Sequence, residues 1–161
     1  QRIYNAAWER NWGFVPMSDA EIVALAKELK PLVQPELLRF ALYDGEPVGF
    51  LLAVPDWNPV LADLGGSVFR HPLRTARHLM FTKAEDMEGL RLITLGIVEE
   101  HRKRGIEGVM FAEGLRAGLD LGYRWAEYSW ILEDNELTKR AVRLMDGELY
   151  KTYRVYEKPV G

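Results

Sequence analysis

Residues 99–110 read EEHRKRGIEGVM, in which three consecutive cations, Arg102, Lys103 and Arg104, stop at Gly105. The stretch follows an apolar run, LRLITLGIV, and opens a helix-like pattern. A strand that ends in a basic, glycine-bearing turn and flows into a helix presents unpaired backbone N–H groups at its mouth. Those donors, the positive end of the helix dipole and the cations all favour an anion. Gly105 would let a diphosphate approach the backbone, because no side chain stands in the way. The same residues also suit a solvated basic turn that joins strand to helix, and both readings stand at this point. Neither G-x-x-x-x-G-K-[ST] nor G-x-G-x-x-G occurs, which excludes a P-loop and the dinucleotide fingerprint.

Several elements must position this turn. Residues 3–12 carry Ile3, Tyr4, Ala7 and Trp8 at helical spacing, with Gly13 as a stop. A second helix starts at Ser18 or Asp19, where Ser18 and Glu21 have capping-box spacing and Ile22, Leu25, Ala26 and Leu29 form an apolar stripe. Pro31 and Pro35 end it. Two strand-like runs, LLRFALYD and PVGFLLAVP, flank Asp44-Gly45, a hairpin signal that predicts antiparallel pairing. Between residues 55 and 89 the pattern gives two short helices, one capped at Asn58-Pro59 and ending at Gly65-Gly66, the other over residues 72–83. Residues 90–98 form the clearest strand, and Gly96 near its end marks a bulge or a close backbone approach. Residues 105–122 form the clearest helix. RWAEYSWIL, residues 124–132, is a further strand, Asp134-Asn135 caps a helix carrying Leu137, Ala141, Leu144 and Met145, and LYKTYRVYEK alternates as a last strand. The predicted order is α-α-β-β-(irregular)-β-α-β-α-β, drawn as one domain over residues 1–161.

Composition bounds the chemistry. The 161 residues carry a net charge of −3, which argues against a nucleic-acid partner. There is no cysteine, so disulfides, thiolate metal sites and a cysteine nucleophile are excluded. His71, His78 and His101 lack ligand spacing, and no metal is expected. No apolar run is long enough to span a bilayer, no membrane partner is expected, and a cytoplasmic setting fits.

LGIVEEHRKRGIEG resembles the signature of the GNAT superfamily of acyl-CoA-dependent N-acyltransferases: a strand ending in an apolar triplet, a turn with [RQ]-x-x-G-x-[GA], then a helix. Arg102, Lys103, Arg104 and Gly105 match, and Leu95-Gly96-Ile97 sits where the family's bulged fourth strand meets the cofactor. ILEDN, residues 131–135, is similar to the end of the family's fifth strand and the start of its next helix. About three-quarters of the chain is covered. The resemblance implies an α/β (α+β) fold: a mixed, mostly antiparallel central sheet flanked by helices, with a splayed parallel strand pair. It implies acetyl-CoA or another acyl-CoA as co-substrate and a small-molecule amine or amino acid as acceptor. Backbone groups of Ile97 and Val98 would hold the pantetheine arm, and one of their N–H groups the oxyanion. The N–H groups from Arg102 through Ile106 and Glu107 to Gly108 would wrap the pyrophosphate, with Asn135 near the same arm.

The match departs at four points. Glu107 stands where Gly or Ala is usual, and Val142 where the family often has a general acid Tyr. Arg91, in Leu90-Arg91-Leu92, replaces an acid that often serves as base. No strand precedes residue 3, and the end is short, so the chain is expected to be part of a longer, even tandem, protein, with a second domain or a homodimer as partner. Candidate catalytic groups are therefore Glu127 as base and Tyr128 or Tyr153 as acid. Glu127 shares a strand face with Ser129, and an ion pair at the sheet is its plainer use. Tyr150, Tyr153 and Tyr156 cannot all share one face of a strand, and His101 suits packing. Trp8, Trp12, Phe14 and Trp57 would line an acceptor pocket or cover the sheet. Arg70, Arg74, Arg77 and Lys83 lie among Leu73, Leu79, Met80 and Phe81, a segment suited to steering an anion, to a partner or to solvent. A non-catalytic acyl-CoA-binding module supporting a partner domain is the alternative to an enzyme.

Overall fold

The computed structural model describes residues 1–9, 14–67 and 69–159, the side chain of Leu79 excepted. They fall into two compact units, residues 1–130 and 131–161.

The first unit holds α1 (Arg2–Trp8), α2 (Asp19–Leu29), β1 (Leu38–Tyr43), β2 (Glu46–Pro55), α3 (Asn58–Asp63), α4 (Pro72–Phe81), β3 (Gly89–Ile97), α5 (Ile106–Asp120) and β4 (Trp125–Glu127). The sheet order is β1-β2-β3-β4. β1 and β2 pair antiparallel around Asp44 and Gly45, whose φ angles of 49° and 82° are those of the hairpin turn that Asp-Gly favours. β2 and β3 are also antiparallel, while β3 and β4 are parallel, joined through α5. The mixed, mostly antiparallel sheet with one parallel pair agrees with the expectation from sequence.

That parallel pair is short. It runs from Gly89↔Trp125 to Arg91↔Glu127, and β3 continues to Ile97 with no strand on that edge among the described residues. β4 therefore stops at Glu127 instead of reaching residue 132. The bulge in β3 also differs from expectation. Leu52 pairs with Thr94 and Ala53 with Leu92, so the extra residue is Ile93, not Gly96. Gly96 serves a close approach instead: a Cβ there would lie 2.6 Å from the Trp8 ring and 2.8 Å from Ala7 Cβ. The absent side chain lets α1 lie directly on the strand.

One face of the sheet packs on α5, with Leu37, Leu51, Leu90, Ile97, Met110 and Phe111 buried between them. The other face carries α1, where Ile3, Val48 and Val98 cluster with Phe50 and Ile106. Ser18 caps α2 as its spacing predicts, accepting from Glu21 N at 3.3 Å while Glu21 Oε2 accepts from Ser18 N at 2.7 Å. These bonds hold the Glu21 carboxyl below its usual range. The stripe on α2 is not buried, however: Leu25 and Ala26 are exposed, and Ile22 and Leu29 only half-covered. A capping box is local and needs no packing partner. The predicted cap of α3 is displaced as well. Asn58 is the first helical residue, and Asp56 Oδ1 accepts its N–H at 3.2 Å. The Gly13 stop and Trp12 lie outside the described residues.

The second unit contains α6 (Glu136–Leu144), capped by Asn135, whose Oδ1 accepts from Thr138 N at 3.2 Å. The expected last strand is absent: residues 148–159 form no ladder, and their side chains are exposed. The alternation of LYKTYRVYEK is a period without a partner, and a strand needs both.

Candidate functional site

The site begins where β3 outruns β4. Val98 N donates to Val48 O at 2.9 Å. Successive residues of a strand aim their N–H and C=O groups at opposite edges, so those of Ile97 face the side that β4 has left. Ile97 O there accepts from Arg102 Nε at 2.9 Å. Of the two backbone donors proposed from sequence, Val98 is thus occupied and Ile97 remains.

The turn that follows carries two residues of positive φ and leads into α5. Lys103 and Gly105 adopt positive φ values of 59° and 80°, after an extended Arg102 whose N–H is already given to Glu99 O at 3.2 Å. α5 then starts with no side-chain cap, and its first intrahelical bond is Val109 N to Gly105 O at 3.2 Å. The N–H groups of Ile106, Glu107 and Gly108 precede that bond, which leaves them to solvent or an anion. A Cβ built on Gly105 or Gly108 meets nothing within 4 Å, so the space over the turn is open. This geometry fits a diphosphate.

The three cations divide. Arg102 turns inward, and besides Ile97 O its Nη2 donates to Ala6 O at 3.0 Å and Ala7 O at 3.4 Å. It thereby ties the turn to the carbonyl end of α1, where a cation is favoured by the dipole. Lys103 and Arg104 are exposed. Arg104 lies over the Tyr43 ring at 5.9 Å, and His101 packs on the same ring at 4.7 Å, the packing role read from sequence. Glu107 is half-buried on the first turn of α5, and burial pushes its carboxyl above the usual range against the opposing charge of Arg102.

At the other end of β3, Arg91 lies on the sheet face opposite α5. Its Nη2 donates to Glu127 Oε1 at 3.2 Å and Ser129 Oγ at 2.7 Å, and its Nη1 is 4.0 Å from Asp56 Oδ1. Asp56 and Glu127 are 6% and 9% exposed, so the guanidinium compensates two buried carboxylates. Glu127 is thus joined to an ion pair, together with Ser129 on the face that sequence assigned to both. Asp56 was not foreseen; its signal was Arg91 itself, a charge inside an apolar strand that demands a buried partner.

Tyr128 points to the α5 face, edge-on to Phe111 with ring centroids 5.2 Å apart. Burial raises its phenol above the ordinary value, so it keeps its proton. Tyr153 and Asn135 belong to the second unit, Tyr153 exposed and Asn135 engaged as the cap of α6. Val142 packs there against Gly147, where a Cβ would come within 2.3 Å of its Cγ1. Among the described residues no group of three or more His, Cys, Asp or Glu could hold a metal, and no helix is long and apolar enough to cross a membrane.

Solved structures share the fold. An aminoglycoside acetyltransferase, AAC(6')-Iy, in complex with a CoA bisubstrate analog, aligns over 99% of this chain and 91% of its own at a TM-score of 0.57 and 17% identity. A putative acetyltransferase from Agrobacterium tumefaciens gives 0.57 at 14% identity, over 98% of this chain and 90% of its own. The chain has the GNAT fold. No family model matches it. Among curated proteins, a bacterial ceramide synthase of Caulobacter vibrioides is 35% identical over 97% of this chain and 41% of its own length. Protein YghO of Escherichia coli is 32% identical over 99% of this chain and 42% of its own. The chain thus spans about two-fifths of those relatives. Within the GNAT fold, β3, the turn and α5 occupy the order that the motif implied.

Proposed function

We propose that the chain is an acyl-CoA-dependent N-acyltransferase that forms an amide on a primary amine. The observation that carries this is the start of α5 after Gly105, uncapped and open to its surroundings, beyond the free edge of β3. The reading is supported by the relative at 35% identity, whose name, ceramide synthase, is that of an enzyme making an amide.

In this reading the diphosphate of the co-substrate lies on the amides of residues 103–108, with Lys103 and Arg104 as outer cations; the Arg102 N–H is held by Glu99 O. The acyl-thioester arm runs along the β3 edge. The amine nitrogen bonds to the thioester carbonyl carbon, the C–S bond breaks, and Ile97 N–H faces the developing oxyanion. The ammonium proton must go to a base, for which Glu127 is the buried carboxylate beside the strand opening. The departing thiolate takes a proton, for which the neutral Tyr128 phenol is the donor. Glu107 must turn away or be protonated when the diphosphate is bound.

Calorimetry with CoA and acyl-CoA tests the first half, and a thiol-reactive dye that reports free CoA across amines tests the second. The chain has no cysteine, so the dye has no protein background. Binding with amine-dependent thiol release is expected, and Glu127→Gln and Tyr128→Phe should each lower the rate with little change in CoA affinity. No heat with any acyl-CoA would overturn the reading. Binding without thiol release for small polar or long-chain amines would favour a non-catalytic acyl-CoA module, a role that Arg91 and Glu107 favour by their places in the motif.

A further inference from the structure

Between the sheet and α5 lies a cavity of about 40 Å³. Its wall is apolar, and it includes Leu92 of β3 and Ala126 and Tyr128 from the β4 side, with Phe111 and Leu119 of α5 beneath them. An apolar groove that the fold leaves unfilled is a candidate for an apolar group of a ligand. β3 and β4 are hydrogen-bonded only as far as Arg91↔Glu127, so Leu92 and Tyr128 are the first residues on each side after pairing ends. The chamber meets the opening at Leu92 and Tyr128 and runs back beneath the paired segment towards Leu90, Gly118 and Tyr123, on the sheet face away from the Asp56–Arg91–Glu127 cluster. The exposed Leu119 and Trp125 leave its far end open to solvent, and its apolar wall favours apolar groups.

We propose that this chamber receives the acyl chain of the thioester co-substrate, and that it selects chains longer than acetyl. The inference rests on the acyl-CoA reading and sharpens its substrate class. A thioester held along the free edge of β3 has two directions for its acyl tail. One is the face of Arg91 and its two carboxylates, where hydrocarbon would strip water from charges. The other is the apolar chamber on the α5 face. The tail takes the second, past Tyr128, and the charged face is left to the amine. A volume of about 40 Å³ compares with roughly 10–15 Å³ for one water-sized probe. That is room for roughly three or four methylenes end to end. Each buried methylene should tighten binding about fourfold.

The test is the dissociation constant of CoA, acetyl-CoA, butanoyl-CoA, hexanoyl-CoA and octanoyl-CoA, measured on the chain and on two variants. Affinity should rise by at least about tenfold from acetyl to hexanoyl and then level off. Ala126→Leu fills the chamber from β4 and should reduce that gain to within about twofold while CoA itself binds unchanged. Leu119 is largely exposed, so Leu119→Ala should cost little stability and move the levelling-off point to a longer chain. Equal affinity for all four acyl-CoAs, with CoA binding intact, would overturn the chamber alone. A gain that persists in Ala126→Leu would place the acyl chain elsewhere and overturn it equally. Failure of CoA itself to bind would bring down the acyl-CoA reading, and the chamber's assignment with it.

Discussion

The two ends of β3 each hold an arginine, and the two do opposite things to the strand. Arg91 acts where β3 and β4 are paired, joining them across the ladder through Glu127 and Ser129. Arg102 acts beyond the end of β3, where β4 has gone, and ties the following turn to α1 through Ile97 O and Ala6 O. One closes the sheet and the other holds it open. The sequence motif gave weight to Arg102 as part of an anion turn and marked Arg91 as a misfit. In the structure both guanidiniums are engaged by the protein, and the donors left open are the backbone amides at the start of α5.

The largest effect should come from breaking the closed end. Arg91→Leu leaves Asp56 and Glu127 buried without their cation, and removing one partner of a buried pair costs about 3 kcal/mol or more. Urea unfolding should show that loss with an unchanged slope. Recovery in the triple variant Arg91→Leu, Asp56→Asn, Glu127→Gln would assign the loss to uncompensated charge. A loss under about 1 kcal/mol would mean the cluster is solvated and the comparison fails.

Arg102→Ala comes next. It removes charge-assisted bonds to three carbonyls, Ile97 O, Ala6 O and Ala7 O, worth about 2 kcal/mol together given their partial exposure. Arg102→Lys should not restore it, because an ammonium cannot span the two directions that the fork reaches. If Arg102→Ala weakens CoA binding while leaving stability untouched, the side chain contacts ligand and not α1.

The difference between the two arginines also marks what could be read from sequence. The hairpin, the capping box on α2, β3 and α5 depend on local patterns, and all are found. The turn was legible because glycine, cations and helix start are contiguous. What failed depends on a partner. The last strand had a period but no neighbour, the stripe on α2 had no surface to cover, and of the two readings of Gly96, bulge or close approach, the choice waited on Ala7 and Trp8, whose approach is non-local. The same holds for Gly89: a Cβ there would lie 2.1 Å from the Trp125 ring, a contact between residues 36 positions apart. Arg91, Asp56 and Glu127 meet only when three strands assemble, and no motif records such a meeting.

Glu107 tests the open end more gently. Burial raises its carboxyl, so between the unfolded and folded values the native state binds more protons than the unfolded one. Stability must then fall as pH rises through that window, and the penalty is fully present at neutral pH. Glu107→Gln should raise the melting temperature at pH 7 and lose its advantage below the ordinary carboxylate range. In the acyl-CoA reading the same variant should tighten CoA binding, and wild-type binding should take up protons. A variant that is neutral at pH 7 in both assays would mean the side chain already points away from the turn.

The smallest effect on the fold belongs to Lys103, and it separates holding the turn from using it. Its side chain is exposed, while its backbone sits at φ 59°. Lys103→Gln keeps the backbone demand and removes only the charge, so stability should stay within about 0.5 kcal/mol. CoA affinity should nevertheless drop by a few fold at low salt, with the loss fading as salt screens the remaining charges. The amides that define the cradle remain in place, so binding should persist. If it vanished entirely, the cradle would be a matter of side-chain charge after all, and the open end of β3 would work by the principle that the motif first suggested.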